Sequence, residues 1–468
     1  MLSRRAVLRT LPTRVEAGIL FAWPDPYSTD AHADAAAAAP PPVPEELRGE
    51  KYAPLKGRWF ERELPHGIDF FHENVLDPQH APVAHSGVAG FDANKADRLQ
   101  VKLMPGEDGT QASAISATGF RLETKMEDPS RRGSTIHFCA PSLVRYEPAP
   151  LSEDQQAAAA EAAEAAKKGG KTRTEARPGD PSGALLTHLI FYASPIRPGW
   201  SKLIGTSFIV DSATGEPSKA ASIFTTALPA WLRHVLGHEF MAGDLFILSR
   251  ASSHYAKEGR RWRQSYWLPT SADAGIVALR KWMEKFGGGE DVPVLPPSAA
   301  GAGVLAGGAA AAAEGGGAKF ALPGLAPSEA AVAASSREQI LSRYEQHTKT
   351  CAACKAALAA TRAVARRSAR LAAMAGAAAV LVAAAAAQHA AALSAAAAAS
   401  SAPAASAGLV ERAAAAIVGA TGGAGGPLMA ALALVAAAGA AWLVRAAAMW
   451  LEQSFINMPY DRTSKAFV

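Results

Sequence analysis

Two long apolar runs in the last third of the chain constrain its fold more than any other feature. Residues 371–387 and 428–444 contain no charged side chain, and each approaches the length that crosses a hydrocarbon core of about 30 Å. Arginines flank both runs on the outer side, namely Arg362, Arg366, Arg367 and Arg370 before the first and Arg445 after the second. This pattern predicts transmembrane helices over residues 371–390 and 428–448, joined as a hairpin with both ends on one side. Alanine is only weakly hydrophobic, so two long soluble helices are the alternative.

A second constraint is a short segment with one acid and two histidines, Asp77-x2-His80-x4-His85. Neutral imidazoles bind divalent first-row metals, and two of them with one carboxylate form the facial triad of non-haem Fe(II) sites. A regular helix would separate the two histidines by about 140°, so they converge only across a bend. Pro78 and Pro82 are helix-breaking residues at the right place. The alternative is a polar helix start with two incidental histidines.

Composition narrows the class of protein further. The formal net charge is +5 over 468 residues, and the scattered Lys and Arg do not favour a nucleic-acid partner. Three cysteines exclude a disulfide scaffold and suit a reducing compartment. Two of them, Cys351 and Cys354, would share a helix face, which indicates a redox-sensitive pair. A partial metal site with His347, or two inert small residues, are the alternatives.

Several further short segments follow one another in a fixed order along the chain. They are Arg62–Pro65 with His66–Asp69, the acid-and-histidine segment, Ser86-Gly87, Phe138–Pro141, Ala193–Pro195, Tyr266–Asp273, Val277–Trp282 and Tyr344-x2-His347-x3-Cys351-x2-Cys354. Together they resemble the catalytic part of the pheophorbide a oxygenase family of Rieske-type oxygenases. That family includes chlorophyllide a oxygenase and a Rieske-type component of the chloroplast inner-envelope translocon. The resemblance covers residues 11–356 with interruptions, and several motifs in order are more specific than any single one.

The resemblance assigns roles to the acid and the histidines. It implies that His80 and His85 bind a mononuclear Fe(II) ion and that Asp77 is the acid that bridges electron transfer to it. It also implies a third, carboxylate ligand much later in the chain. We expect Asp244 in this role, because it precedes an apolar run and follows a glycine that permits close backbone approach. Glu239 is the alternative ligand.

His234 and His238 are another candidate pair, because a spacing of four places both on one face of a helix. No glutamate follows the first histidine, so the segment is not the H-E-x-x-H motif and does not favour a zinc hydrolase. We expect these histidines to orient groups around a metal site or to lie on a polar helix face.

The start of the chain carries a further resemblance, since residues 11–26 are similar to the segment in which family members leave their Rieske domain. A Rieske [2Fe–2S] centre needs two cysteines and two histidines, in C-x-H and C-x-x-H pairs. The only cysteines here are Cys139, Cys351 and Cys354, and no C-x-H occurs. The 2Fe-2S ligands expected for the family are therefore absent from these residues. We expect residues 1–28 to be the remnant of a Rieske domain, and we favour a start inside that domain over loss of the cluster.

The remaining segments divide by composition. We expect a catalytic domain over 45–290 with a low-complexity insertion over 152–182, a disordered linker over 291–337, a C-x-x-C segment over 338–356, and then the two apolar helices. Strand-like runs at 185–192 and 207–210, and a helical pattern at 273–286, predict an α+β fold with an antiparallel sheet against a long helix. This agrees with the helix-grip (START-like) fold that the resemblance implies.

The resemblance implies an oxygenase that uses O2 and ferredoxin-derived electrons on a chlorophyll-derived tetrapyrrole of the pheophorbide a or chlorophyllide a class. It also implies a homo-oligomer, a trimer, in a chloroplast membrane, either the inner envelope or the thylakoid. Large apolar substrates agree with the predicted membrane helices. The alternative is a non-catalytic or redox-regulated component of the inner-envelope translocon that binds tetrapyrrole.

Overall fold

The computed structural model describes residues 12–22, 41–48, 59–88, 91–96, 98–127, 132–149, 157, 185–197, 199–211, 228–258, 261–286, 336–399 and 426–457. The described residues divide into two compact units, those up to residue 347 and those from 348 to 457. Nearly all of the expected insertion (152–182) and of the expected linker (291–337) lies outside the described residues, as do residues 1–11 and 23–28 of the expected Rieske remnant.

The first unit contains ten antiparallel strands in the described ranges, which form one large sheet and a separate hairpin. Its strands are β1 (Thr13–Glu16), β2 (Ile19–Ala22), β3 (Phe60–Leu64), β4 (Leu99–Leu103), β5 (Ile115–Ser116), β6 (Gly119–Met126), β7 (Ser134–Cys139), β8 (Leu143–Pro148), β9 (Leu185–Arg197) and β10 (Trp200–Asp211). Within the described ranges, the strand order is β3-β10-β9-β8-β7-β6-β4 with β5 beside β6, while β1 and β2 form a separate hairpin. Every pairing is antiparallel. The predicted combination of helices with an antiparallel sheet is confirmed, and the two strand-like runs lie inside longer strands, β9 and β10.

The helices of the first unit are mostly short. They are α1 (Glu45–Arg48), α2 (Ile68–Leu76), α3 (Ala81–Ala84), α4 (Ala230–Lys257), α5 (Trp262–Ser265), α6 (Ala274–Lys285) and α7 (Arg337–Leu341). The predicted helix at 273–286 is confirmed as α6, and a capping box before it has Thr270 N donating to Asp273 Oδ2 at 2.8 Å. Ser336 Oγ accepts a hydrogen bond from Gln339 N and caps α7. Arg337, the last residue of the expected linker, is thus the first residue of α7.

One face of the sheet carries the main hydrophobic core. Side chains alternate along β6 and β7, so that Leu122, Ile136 and Phe138 point to this face and are fully buried. Trp282 of α6 meets the Phe138 ring edge-on, with 5.1 Å between centroids. Leu76, the last residue of α2, packs into the same core. The sheet and α6 thus fix the position of the C-terminal end of α2.

A second core lies on the opposite face. Ile190 and Tyr192 belong to it, and they alternate along β9 with Phe191 and Ala193, which belong to the main core. Ile19 of β2 is buried in this second core. The hairpin over residues 12–22 therefore packs on the sheet of the first unit, and its origin as a Rieske remnant stays a prediction.

A buried charged network joins α2, α6 and the segment before α6. The fully buried Arg280 donates through Nε to Glu73 Oε1 at 2.5 Å and through Nη2 to Tyr266 Oη at 2.9 Å, and it lies 3.6 Å from Asp69 Oδ2. Tyr266 Oη donates to Glu73 Oε2 at 3.0 Å. Burial lowers the pKa of the Arg280 guanidinium and the two carboxylates raise it, with a net shift upward. The guanidinium therefore stays charged inside the protein.

The second unit contains two long helices, α8 (Ala352–Ala399) and α9 (Gly426–Ile456), which pack against each other. Both are long and apolar enough to cross a membrane, with mean hydropathies of 1.9 and 2.1 in their most apolar windows. The predicted spans 371–390 and 428–448 lie inside them, and membrane crossing stays a prediction. Because α8 begins at Ala352, Cys354 lies in its first turn. Residues 352–356 of the C-x-x-C segment expected at 338–356 are therefore part of the first apolar helix.

We expect Arg280→Met to lower the free energy of unfolding by about 3–5 kcal/mol, because Glu73 and Asp69 would become buried carboxylates without a cation. Urea unfolding of the full chain in detergent, followed by tryptophan fluorescence, measures the change. Arg263→Met is the matched control. Arg263 pairs with Glu284 at 2.7 Å, but its side chain is 61% exposed, so its loss should cost less than about 1 kcal/mol. Equal losses in the two variants would contradict the role given to the buried network.

Candidate metal centre

The chain turns sharply at Asp77, directly after α2. The backbone angles there are φ −107° and ψ 85°, outside the helical region, and Asp77 Oδ1 accepts a hydrogen bond from Gln79 N at 3.0 Å. Pro78 starts the following 3-10 turn, a position at which its missing N–H breaks no helical hydrogen bond. Beyond this turn the imidazole rings of His80 and His85 lie edge-on, with 5.4 Å between centroids. The residues between them form the short helix α3, so the bend expected between the two histidines is not observed; the sharp turn lies before both of them.

Helix α4 brings a carboxylate to these two rings. Asp244 is buried, with Oδ2 at 3.4 Å from His85 Nε2 and Oδ1 at 3.8 Å from His80 Nε2. The approach depends on Gly243, since a Cβ atom there would lie 2.1 Å from the carbonyl oxygen of Ala84. The close backbone approach expected at this glycine is therefore present.

Glu239, the alternative third ligand, lies in a different ion pair. Its Oε1 is 2.8 Å from Nη1 of Arg343, whose side chain is fully buried. A buried guanidinium needs a carboxylate partner, so this contact gives Glu239 a structural role. Asp244 is the carboxylate that the structure brings to the two histidines, and its role as an iron ligand stays a prediction.

The donor set of His80, His85 and Asp244 fits a divalent transition metal. One ligand atom from each residue lies within 4.8 Å of the other two. Adjacent octahedral ligands about 2.1 Å from an ion are roughly 3 Å apart, so small side-chain movements bring the three atoms onto one face. In the described part of the chain no lysine or arginine pairs with the buried Asp244 carboxylate. A cation held between the carboxylate and the two imidazoles would offset the cost of its burial.

Both imidazoles are held with Nε2 toward Asp244. His80 Nδ1 donates to the backbone carbonyl of Asp77, which leaves Nε2 as the nitrogen with a lone pair. The ring of His85 stacks on Phe240, with 3.8 Å between centroids. Burial lowers the pKa of His85, although Asp244 opposes the shift. His85 is therefore neutral, as a metal ligand must be.

Asp77 lies between these ligands and an open cavity of about 640 Å³. The cavity wall comes from α2, the second half of α4 and the segment around α5, and it includes Asp77, Leu248, Tyr255, Arg261 and Tyr266. Burial raises the pKa of the Asp77 carboxyl group, and His80 opposes the shift. Its position beside the cavity and next to His80 is compatible with the bridging role implied by the resemblance, which stays a prediction.

His234 and His238 belong to a separate group of rings around Phe60. Ring centroids of His234, His238 and His347 lie 5.8, 5.1 and 5.6 Å from that of Phe60. His347 Nδ1 donates to the carbonyl of Glu61 at 2.5 Å, and its Nε2 lies 3.2 Å from His234 Nδ1. Burial lowers the pKa of all three histidines. The expectation of a polar helix face is wrong for His238, which is only 1% exposed.

The cysteines do not provide a Rieske ligand set. Cys139 lies in β7, and the thiols of Cys351 and Cys354 are within hydrogen-bonding distance of each other in the second unit. Neither C-x-H nor C-x-x-H occurs in the 468 residues. The residues present therefore do not fit a [2Fe–2S] cluster of the Rieske type.

Comparisons with known proteins agree with the motifs. The family model described as pheophorbide a oxygenase matches residues 138–262. The chain is 25% identical to protochlorophyllide-dependent translocon component 52 of Arabidopsis thaliana, 24% identical to flavonoid 8-hydroxylase 2 of Ocimum basilicum and 23% identical to pheophorbide a oxygenase of Oryza sativa subsp. japonica, all described as chloroplastic. The alignments cover 76% of this chain and 56%, 55% and 55% of the relatives. The chain thus spans about half the length of the curated relatives it matches.

Among solved structures, a mutant of NdmA from Pseudomonas putida CBB5 with caffeine aligns with a TM-score of 0.34 and 11% identity, over 61% of this chain and 63% of that chain. A likeness at this level supports no conclusion about fold or function. The matched family segment runs from β7 through α4 to the start of α5 and includes Asp244. The relatives align over most of its length, so the chain resembles the pheophorbide a oxygenase family of Rieske-type oxygenases.

Proposed function

We propose that this chain is the catalytic part of a non-haem iron oxygenase that acts on a chlorophyll-derived tetrapyrrole. The observation that supports it is the convergence of His80, His85 and Asp244, whose ligand atoms lie within 4.8 Å of one another. Iron held by these three residues would supply the chemistry of O2 activation. The pheophorbide a oxygenases among the relatives support the substrate class.

The surrounding residues hold the ligands in place. The Asp77 carbonyl fixes the orientation of the His80 ring, and Phe240 fixes that of His85. Gly243 allows α4 to carry Asp244 into reach. We propose that the Asp77 side chain, which accepts a hydrogen bond from the backbone N–H of Gln79, bridges electron transfer from the reducing partner to the iron site at His80.

The proposal extends to partners and location. Ferredoxin is the proposed electron donor, with a Rieske centre that the residues of this chain do not provide, and a homotrimer is the proposed assembly. The proposed location is a chloroplast membrane, supported by the chloroplastic relatives and by the apolar α8 and α9. We also propose the helix-grip arrangement for the first unit, because α6 buries its apolar face on the antiparallel sheet.

Two other functions remain to be separated from this one by experiment. Flavonoid 8-hydroxylase 2 is about as similar to the chain as pheophorbide a oxygenase is, which supports a flavonoid as the second candidate substrate. The translocon component among the relatives supports the non-catalytic alternative, but a purely structural protein does not require two imidazoles facing a buried carboxylate. Chlorophyllide a oxidation gains no support from these relatives.

We further propose that Cys351 and Cys354 form a redox-sensitive pair. Neither forms a disulfide in this structure, and they lie within hydrogen-bonding distance of each other. Cys354 is buried and Cys351 is half-buried, so an oxidant reaches Cys351 first. The proposed switch is the formation of a disulfide between the two.

His80→Ala should reduce bound iron from about one ion per chain to background, because only two protein ligands remain. The measurement is metal analysis of the full chain after anaerobic loading with Fe(II). His254→Ala, in the same helix as Asp244, is the control and should retain iron. Equal iron in the wild type and in His80→Ala would overturn the site.

Gly243→Ala should weaken Fe(II) binding by about 10–100-fold, because the added Cβ pushes α4 away from Ala84 and carries Asp244 with it. Gly237→Ala is the matched control in the same helix, since its Cβ would meet only the Phe60 ring, at 3.3 Å. Titration with Fe(II) under anaerobic conditions measures both affinities. A similar affinity in the two variants would show that the helix contact does not position the ligand.

With ferredoxin and a Rieske-domain protein supplied as electron donors, oxidation of the full chain should change the oxygenase activity of the wild type but not that of Cys351→Ser, because the variant cannot close a disulfide. Cys139→Ser is the control and should behave as the wild type does. Activity of each protein is compared after treatment with oxidised and with reduced dithiothreitol. An identical response of wild type and Cys351→Ser would exclude the proposed switch.

A further inference from the structure

Along the two helices of the second unit, the charged residues end at the same level, and beyond that level both helices are uncharged. Arg362 Nε of α8 lies 2.8 Å from Glu452 Oε1 of α9, and this ion pair gives the register of the antiparallel pair. Arg370 is eight positions further along α8 and Arg445 is seven positions back along α9, so each is about 11–12 Å from the ion pair along the helix axis. Beyond them, residues 371–399 and 426–444 contain no Asp, Glu, Lys or Arg.

A cluster of exposed arginines stands at this level. Its members are Arg366, Arg367, Arg370 and Arg445, all exposed. Glu452 is the one acidic residue in the sequence of α8 and α9, and it already pairs with Arg362. In the described part of the chain no ion pair joins an acid to any of the four. The hairpin therefore carries an uncompensated positive belt where its apolar part begins.

Aromatic side chains mark the same boundary. Trp442 and Trp450 stand three residues before and five residues after Arg445, and they are 60% and 74% exposed. Trp is enriched where a membrane helix passes through the headgroup region, because its ring is apolar and its N–H is polar. Leu443, inside the boundary, is 64% exposed, which suits contact with lipid chains.

We propose that Arg366, Arg367, Arg370 and Arg445 form a binding surface for anionic lipid headgroups at the edge of the bilayer. A guanidinium binds a phosphate or sulfonate group through two parallel N–H donors, and such contacts strengthen where a low-dielectric layer lies beside them. Two helices that become uncharged at one level match a planar boundary, whereas a soluble hairpin has no reason to align these edges. The inference rests on the proposed placement of α8 and α9 in a membrane, but not on the proposed oxygenase activity.

The test measures which lipid the full chain selects in a bilayer. The protein is reconstituted in phosphatidylcholine with a trace of spin-labelled phosphatidylglycerol or of spin-labelled phosphatidylcholine, and electron paramagnetic resonance gives the fraction of each label that the protein immobilises. We expect phosphatidylglycerol to be preferred by about threefold or more at low salt, with the preference falling as salt screens the charges. In R366Q/R367Q/R370Q/R445Q the two labels should be immobilised equally.

A matched variant, K102Q/R121Q/K125Q/K281Q, removes the same number of charges from exposed positions of the first unit and should keep the preference. Far-ultraviolet circular dichroism checks that both variants keep the helix content of the wild type. Equal immobilisation of the two labels by the wild type, or an equal loss of preference in the matched variant, would overturn the proposal. If the wild type immobilises neither label, the placement of α8 and α9 in a bilayer is wrong as well.

Discussion

Helix α4 and the segment Ala84–His85 touch backbone to backbone at Gly243, where a Cβ atom would lie 2.1 Å from a carbonyl oxygen. Asp244 follows directly, so the same contact that joins the two elements sets the distance from its carboxylate to both imidazoles. The other side of the site depends on α2, whose end is fixed by the sheet and α6. The geometry of the candidate iron site thus depends on how the helices pack, because a shift of α4 or α2 would move the ligand that it positions.

The buried charged network fixes the position of α2 more narrowly than the hydrophobic core alone does. Apolar contacts tolerate small sliding movements of a helix, whereas the bonds among Arg280, Glu73 and Tyr266 require fixed directions. Glu73 precedes Asp77 by one helical turn, so the network holds α2 in register close to the turn from which the chain enters the site. The free-energy cost of burying these ions is offset only while all partners are in place, so loss of one partner destabilises the whole network.

Local sequence patterns predicted the parts of the site that depend on local chemistry. The 3-10 turn that carries His80 begins at Pro78, and the approach of α4 follows from a glycine before an acid. The stacking of Phe240 on His85, and the packing of three histidines around Phe60, could not be predicted in this way. These contacts join residues far apart in the chain, and no spacing rule records them, because they depend on how the sheet and helices pack.

Asp244 follows His85 by 159 positions (244 − 85), and the two belong to elements that only tertiary packing brings together. An ion bound by both would act as a non-covalent crosslink across that long loop of chain, and its binding free energy would become part of the folding free energy. The loaded and metal-free forms would then differ most in local unfolding at this junction, because the hydrophobic core on the sheet does not depend on the ion. Iron supply would thereby govern how long the chain survives proteolysis, apart from any effect on catalysis.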